Sequence, residues 1–198
     1  MINMSNKLQI VGFTGQAGVG KDTAALLLTE SLQARGKRVE RMGFADPIRW
    51  MLGALGVTEG ELASRERKEQ PLAAFNGNSP RRMMQTLGTE WGRTEMGGDF
   101  WVKRLEARLE RLAEVGKRPD YLLITDVRFP NEGAWVERHG GTMVAITRRQ
   151  AMAVASHESE RHLVRHTHLI QNDHDLQALR AQVEQVACVL LAHHALEA

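Results

Sequence analysis

Residues 12–24 read GFTGQAGVGKDTA, and no other stretch of the chain narrows the choice of fold so far. Its glycines lie between two apolar runs, Leu8-Gln9-Ile10-Val11 before and Ala24-Ala25-Leu26-Leu27-Leu28 after. A short, largely apolar run bounded by glycine predicts a buried strand. The stretch from Lys21 to Arg35, rich in Ala and Leu and free of Gly and Pro, predicts a helix. A strand that enters a helix through a glycine loop presents the helix's first N–H groups and the positive end of its macrodipole, and together these bind an anion. Gly15, Gly20 and Lys21 have the G-x-x-x-x-G-K spacing of a phosphate-binding loop, in which main-chain N–H groups cradle phosphates and the lysine reaches the terminal ones. The expected phosphate-binding set is therefore Gly15, Ala17, Gly18, Val19, Gly20, Lys21, Asp22 and Thr23. The usual motif has a hydroxyl directly after the lysine as a magnesium ligand; here Asp22 takes that place and Thr23 follows.

The order of the remaining elements carries the architecture. Gly36 suits a helix stop, and Val39 to Phe44 predicts a second strand that ends at Ala45-Asp46-Pro47, with a helix from Pro47 to about Leu55. Residues 56–78 are charged and irregular. Ser79-Pro80 reads as an N-cap with proline at the first helical position, opening a helix to about Trp91. Asp99 caps a segment in which Val102, Leu105, Leu109 and Leu112 share one face. Strands are expected at Tyr121 to Thr125, Met143 to Ile146 and around Leu169-Ile170. A helix from Asn131 to His139 and a last helix carrying Leu176, Leu179, Val183, Val186 and Leu190 on one face complete the set. Apolar strands alternating with helices predict an α/β fold of three layers, a parallel sheet covered by helices on both faces, with ligands at the carboxyl ends of the strands.

Three strand ends then converge on one crevice: 12–23, 44–49 and 126–128. Asp126, at the end of a buried strand, suits the hydrated magnesium that accompanies a nucleoside triphosphate, and Arg128 can grip a phosphate with its two-pronged guanidinium. The same two residues would also suit a loop ion pair. Arg82, Gln85 and Thr89 fall at i, i+3 and i+7, offering an arginine for phosphate and an amide for a base edge; Met83, Met84, Leu87 and Trp91 could equally pack and leave that polar face wet. Arg148 and Arg149 follow a strand and suit either a lid over transferring phosphate or a solvated surface. Histidines 157, 162, 166 and 168 do not make a zinc motif, because Arg161 stands where the second histidine of H-E-x-x-H is needed.

The chain's 198 residues suit one domain with a sizeable core. Its 26 basic and 24 acidic side chains nearly cancel, which argues against nucleic acid or a membrane surface as partner and for small anions. The single cysteine, Cys188, cannot form an internal disulfide, and no run approaches the length of a membrane span or a signal-peptide core. The expected location is cytoplasmic.

Taken together, GQAGVGKDT, FADPIRWML, SPRRMMQTLGTEWGR with DFWVKRL, LLITDVRFPNE, and the HESE and IQND segments resemble the bacteriophage-type deoxynucleoside monophosphate kinases, a branch of the P-loop nucleoside monophosphate kinases. SPRRMMQTLGTEWGR with TDVRFPNE is the more specific part of the likeness. The resemblance covers nearly the whole chain and implies one P-loop kinase domain, with an acceptor-binding helical segment over about 46–100 and a lid-like segment over about 148–166. It implies ATP as phosphoryl donor and Mg2+ as cofactor, the ion served by Thr23 and Asp126 directly or through water. Catalytic roles fall on Lys21, Asp126 and Arg128, acceptor binding on Asp46, Arg49, Arg82, Gln85, Arg93 and Arg128, and the lid on Arg148 and Arg149. Its partners would be small-molecule nucleotides, and a homodimer is compatible with it. Two other readings share the glycine loop: a small-molecule kinase acting on a phosphorylated metabolite, and a nucleotide-operated switch. The switch lacks an N-K-x-D guanine signature, since Asn6-Lys7 runs into Leu8-Gln9 ahead of the loop.

Overall fold

The computed structural model describes residues 8–149 and 164–196, which form two compact units. The first comprises the described residues up to Gly43 and those from Leu109 onward; the second is Phe44–Arg108.

The first unit is built on a parallel sheet of five strands in the order β2-β3-β1-β4-β5, where β1 is Gln9–Thr14, β2 Val39–Met42, β3 Tyr121–Ile124, β4 Thr142–Thr147 and β5 His168–Gln171. Helices cover both faces. On one side α1 (Lys21–Ala34) and α8 (Leu176–Leu196) pack together over Val11, Phe13, Leu123, Val144 and Ile146, contributing Leu28, Leu32, Leu179, Val183 and Leu190. On the other side α7 (Pro130–Arg138) buries Trp135 and Val136 against β1 and β4. Strand residues alternate between these faces, so a strand buried on both sides must be apolar at every position. Tyr121-Leu122-Leu123-Ile124 is buried throughout.

β1 runs three residues beyond the expected Leu8–Val11, through Gly12 to Thr14. Glycine is required there by packing rather than by a turn: a Cβ on Gly12 would lie 2.6 Å from Met143 Sδ, 3.0 Å from Val127 and 3.2 Å from Val136. β2 stops at Met42, two residues early, and α2 begins at Asp46. α1 ends where expected, with Gly36 at φ +73° donating its N–H to Gln33 O. Among the described residues no helix is long and apolar enough to cross a membrane.

The second unit is helical: α2 (Asp46–Ala54), α3 (Glu59–Ala63), α4 (Arg65–Glu69), a short 3-10 turn (Ala73–Phe75), α5 (Pro80–Gln85), a π-helix (Thr86–Glu95) and the first part of α6 (Phe100–Glu114). The charged span 56–78 is thus folded, its short helices opened by the side chains of Thr58 and Ser64. Ser79 caps α5 as expected, its hydroxyl accepting the Arg82 N–H at 3.3 Å, with Pro80 following. The helix expected to run to Trp91 instead widens after Gln85 into the π-helix. Trp101 accounts for the widening: its indole Nε1–H donates to Gly88 O at 2.7 Å, and its ring fills the space that a Cβ on Gly92 would need.

α1 and α8 are also joined at their surface by Glu184, which accepts from Ser31 Oγ at 2.7 Å and pairs with Arg35. The Ser31 hydroxyl, then Arg35, hold its carboxyl below the ordinary range. A carboxyl whose pKa is lowered by folding stabilises the fold above its unfolded value, near ~4.3, and that contribution vanishes as pH falls through the folded-state value. Glu184→Gln should lower the melting temperature at pH 7 by about 1–3 °C, the range for a solvent-exposed pair, and the gap to the parent should narrow as pH falls below the ordinary carboxyl range in thermal scans.

Candidate active site

The carboxyl ends of β1, β3 and β4 lie side by side because the strands are parallel and in register, Gly12 opposite Ile124 and Thr14 opposite Ala145. From β1 the chain enters the loop 15–20 and then α1. Three of its glycines hold backbone conformations that L side chains rarely adopt: Gly15 at φ +137°, Gly18 at +81° and Gly20 at +102°. Gly20 is also the N-cap of α1 and supplies no capping side chain, so the first turn of the helix keeps its N–H groups for a ligand.

Lys21 opens α1 and is buried, only 8% exposed, so its ammonium needs partners. Nζ donates to Gly15 O at 2.7 Å and Gln16 O at 2.8 Å, which folds the side chain back under the loop. Val19 packs into the core, while Ala17 is half-buried and Gly18 exposed. Asp22 and Thr23 are exposed in the first helical turn, where Asp22 complements the dipole.

Beyond β3, the Val127 N–H donates to Phe13 O at 3.0 Å and ties the 126–128 segment to the strand that feeds the loop. Asp126 and Arg128, both half-buried, flank that tie. Glu132, a residue only 2% exposed, steadies it from α7: its carboxylate accepts the N–H of Arg128 at 2.7 Å and of Phe129 at 3.0 Å. This is one half of a capping box, the N3 acid reaching back to the helix start. Asp126 and Thr23 offer a carboxylate and a hydroxyl, the hard oxygens magnesium prefers when it keeps water and phosphate as its other ligands. The donor set therefore fits the ion.

β4 leads to Arg148 and Arg149, both exposed. Asp173, just past β5, accepts the Arg149 N–H at 2.7 Å and pairs with its Nε at 3.2 Å. Together with Gln171, His174 and Gln182 these residues line an open cavity of about 470 Å3. Most of the expected lid segment, the HESE stretch and histidines 157 and 162 lie outside the described residues.

The remaining expected site residues belong to the second unit. Asp46, in the first turn of α2, accepts from Arg108 Nη1 at 2.8 Å, and Arg108 also lies 5.0 Å over the Trp50 ring. Arg49 donates to Leu62 O at 3.2 Å and Arg93 to Gly98 O at 3.1 Å. Arg82 is exposed and Gln85, closing α5, is half-buried. α2 packs on α5, so Asp46, Arg49, Arg82 and Gln85 are carried by adjoining helices.

Two residues that sequence reading passed over hold the first unit's site in shape. Glu132 was signalled by its place three positions into a helix opened by Pro130. Asn172, in the IQND segment, is buried and donates from Nδ2 to Val19 O at 2.8 Å. Its only mark in the sequence is a polar residue closing an apolar strand.

The deoxynucleotide monophosphate kinase family model matches residues 58–183. A protein of Acanthamoeba polyphaga mimivirus described as a putative deoxynucleotide monophosphate kinase is 30% identical over 159 residues, covering 76% of this chain and 80% of that protein. The deoxynucleoside-5'-monophosphate kinase of Escherichia phage T5 is 28% identical over 179 residues, covering 63% of this chain and 70% of that protein. In fold, the chain is similar to the solved structure of APE1195, with 13% identity, a TM-score of 0.50 and coverage of 96% of this chain and 98% of that one.

Removing the Glu132 carboxylate takes the acceptor from two N–H groups at a half-buried turn, a cost of about 1–3 kcal/mol. Glu132→Ala should lose that much in urea unfolding. Glu132→Gln, which keeps one acceptor oxygen, should lose less, and parent-like stability of Glu132→Ala would mean that the carboxylate does not hold the turn.

Proposed function

The chain belongs to the deoxynucleotide monophosphate kinase family and is a phosphotransferase, and from that premise we propose that it transfers the terminal phosphoryl group of ATP to a deoxynucleoside monophosphate, yielding ADP and the deoxynucleoside diphosphate. The observation that carries the reading is the glycine loop with Lys21 folded beneath it, in a chain whose family match over residues 58–183 includes SPRRMMQTLGTEWGR and TDVRFPNE.

In this reading the loop 15–20 and the first turn of α1 take the donor phosphates. Lys21 exchanges the Gly15 and Gln16 carbonyls for phosphate oxygens, keeping its charge paired in both states. An oxygen of the acceptor phosphate attacks the terminal phosphorus in line, the bond to the bridging oxygen breaks, and ADP departs with that electron pair. No covalent enzyme intermediate is needed. Magnesium, held by Thr23 and Asp126 or their waters, would neutralise phosphate charge. Arg128, its backbone fixed by Glu132, grips the acceptor phosphate and aligns the attacking oxygen. Asp46, Arg49, Arg82, Gln85 and Arg93 complete the acceptor set, while Arg148 and Arg149, just past β4, act on the transferring phosphate and help to exclude water.

The experiment is a panel of ribo- and deoxynucleoside monophosphates with magnesium ATP, read as diphosphate formation. At least one deoxynucleotide should be phosphorylated; no product across the panel, from folded protein that binds ATP, overturns the reading. Lys21→Ala should lower turnover about a hundredfold, or ~3 kcal/mol, as for loss of one transition-state donor. Near-normal turnover would remove the glycine loop from catalysis. Arg128→Lys keeps the charge but not the two-point grip, so the acceptor Michaelis constant should rise and turnover fall, with ATP affinity measured alone within about threefold of the parent. Lost ATP binding with a normal acceptor constant would move Arg128 to the donor side.

A further inference from the structure

The sequence leaves those peptides of the phosphate loop that precede a glycine without a local device to fix their orientation. A peptide unit flips when ψ of one residue and φ of the next change together, and glycine as the second residue lowers the steric barrier to that change. The Val19–Gly20 unit is such a case. Its orientation decides the sign of what faces a bound anion. Because the unit is trans, its N–H and C=O point in opposite directions, so a carbonyl held on one side aims the Gly20 N–H at the other.

Asn172 holds that carbonyl. The residue is 8% exposed, and Nδ2 donates to Val19 O at 2.8 Å. The same nitrogen stands 2.5 Å from where a Gly20 Cβ would be, so the amide occupies the volume that Gly20 leaves open. The residue bearing it is itself fixed: the Asn172 N–H donates to Thr147 O at 2.8 Å, continuing the β4–β5 pairing. Its neighbour Gln171 exchanges two hydrogen bonds with the Gln182 side chain of α8, at 3.0 and 2.9 Å. On the far side of Gly20, its own carbonyl is held by the Ala24 N–H at 2.9 Å, the first bond of α1.

We infer that Asn172 is a positioning residue for the donor site: by holding Val19 O it keeps the Val19–Gly20 peptide turned so that an N–H, and not a carbonyl, faces the donor phosphates. The inference rests on the reading of the loop as the ATP phosphate site. Its ligand is the polyphosphate of the donor, not the base or sugar, so the effect belongs to triphosphate affinity and leaves acceptor affinity unchanged.

Asn172→Asp tests it, since the side chain keeps its size but replaces the donating amide with a carboxylate that repels Val19 O. At pH 8, calorimetric titration with magnesium ATP and with inorganic triphosphate should show affinity about tenfold weaker than the parent, the scale of one lost ion-directed hydrogen bond. The acceptor Michaelis constant at saturating ATP should stay within about twofold. As pH falls toward 5.5 the carboxyl protonates, more readily because it is buried, and its O–H can donate to Val19 O; the variant-to-parent affinity ratio should therefore return toward one. A merely packing role would give a ratio that does not depend on pH. If Asn172→Asp does not fold, Asn172→Leu, which keeps the volume but has no donor for Val19 O, should show the same tenfold loss for both ligands, whereas a merely packing role would leave it with parent-like affinity. Parent-like affinity at pH 8 in either variant, alongside loss of binding in Lys21→Ala, overturns the inference while the donor reading stands. If the parent binds neither ATP nor triphosphate, both fall.

Discussion

The structure of the first unit depends on how closely β1 is enclosed. It is hydrogen-bonded along both edges, to β3 and β4, and at Gly12 one face lies so near Met143, Val127 and Val136 that no side chain fits. That closeness gives the strand ends a common level. Parallel pairing has no tight turns between neighbours, so each strand must deliver its carboxyl end to the same edge and depart through a loop and helix. The glycine loop leaves from β1, Asp126 and Arg128 from β3, and Arg148 and Arg149 from β4. The bond from Val127 N–H to Phe13 O then fixes the second of these groups directly to the strand that carries the first.

The loop's own stability follows from the same accounting of polar groups. Lys21 is buried beside carbonyls of Gly15 and Gln16, so its charge is satisfied by the loop that it serves. Asn172 does for Val19 O what those contacts do for Lys21, from a different strand. Glu132 plays the matching part for the 126–128 turn, accepting two N–H groups that would otherwise be orphaned. Each supporting side chain is buried and comes from an element next to the loop rather than from the loop itself. A loop rich in glycine has little conformational preference of its own, and it is ordered by neighbours that pay no glycine's entropy.

Much of this was legible in the chain. The apolar run before GFTGQAGVGKDTA, its glycine spacing and the Ala-Leu helix after it predicted β1, the loop and α1, and the alternation of apolar strands with helices predicted the parallel sheet. Both signals are periodic or local, which is what sequence patterns record. Asn172 was not legible as a support, because its partner Val19 lies 153 positions away and nothing local distinguishes a buried amide from a solvated one. Glu132 could be found, because its partners are within four residues. Boundaries moved where packing overrode propensity: Gly12 extended β1, although glycine is a poor strand residue, because the space beside it was already filled.

The second unit shows the same limit in a helix. SPRRMMQTLGTEWGR carries no Pro after Pro80 and reads as a continuous α-helix, yet it becomes a π-helix from Thr86 to Glu95. Gly88 and Gly92 are four apart and both face outside partners: Gly88 O receives the Trp101 indole N–H, and Gly92 lies against the Trp101 ring. In the α form each carbonyl accepts from the residue four ahead; drawing Gly88 O toward an indole weakens that bond and favours the wider turn, which accepts from five ahead. Trp101 lies in a later helix, within a cluster in which Phe100 and Trp101 meet edge to face at 4.8 Å. Because the π-helix bonds five rather than four residues ahead, its wider turn rotates Arg93 away from the direction it would have on an α-helix that also carries Arg82 and Gln85. The i, i+3, i+7 spacing read from the sequence thus describes Arg82 and Gln85, on α5, but not the residues after Thr86. Which face Arg93 presents is therefore set by a tryptophan eight positions further along the chain, through two glycines that let it come close.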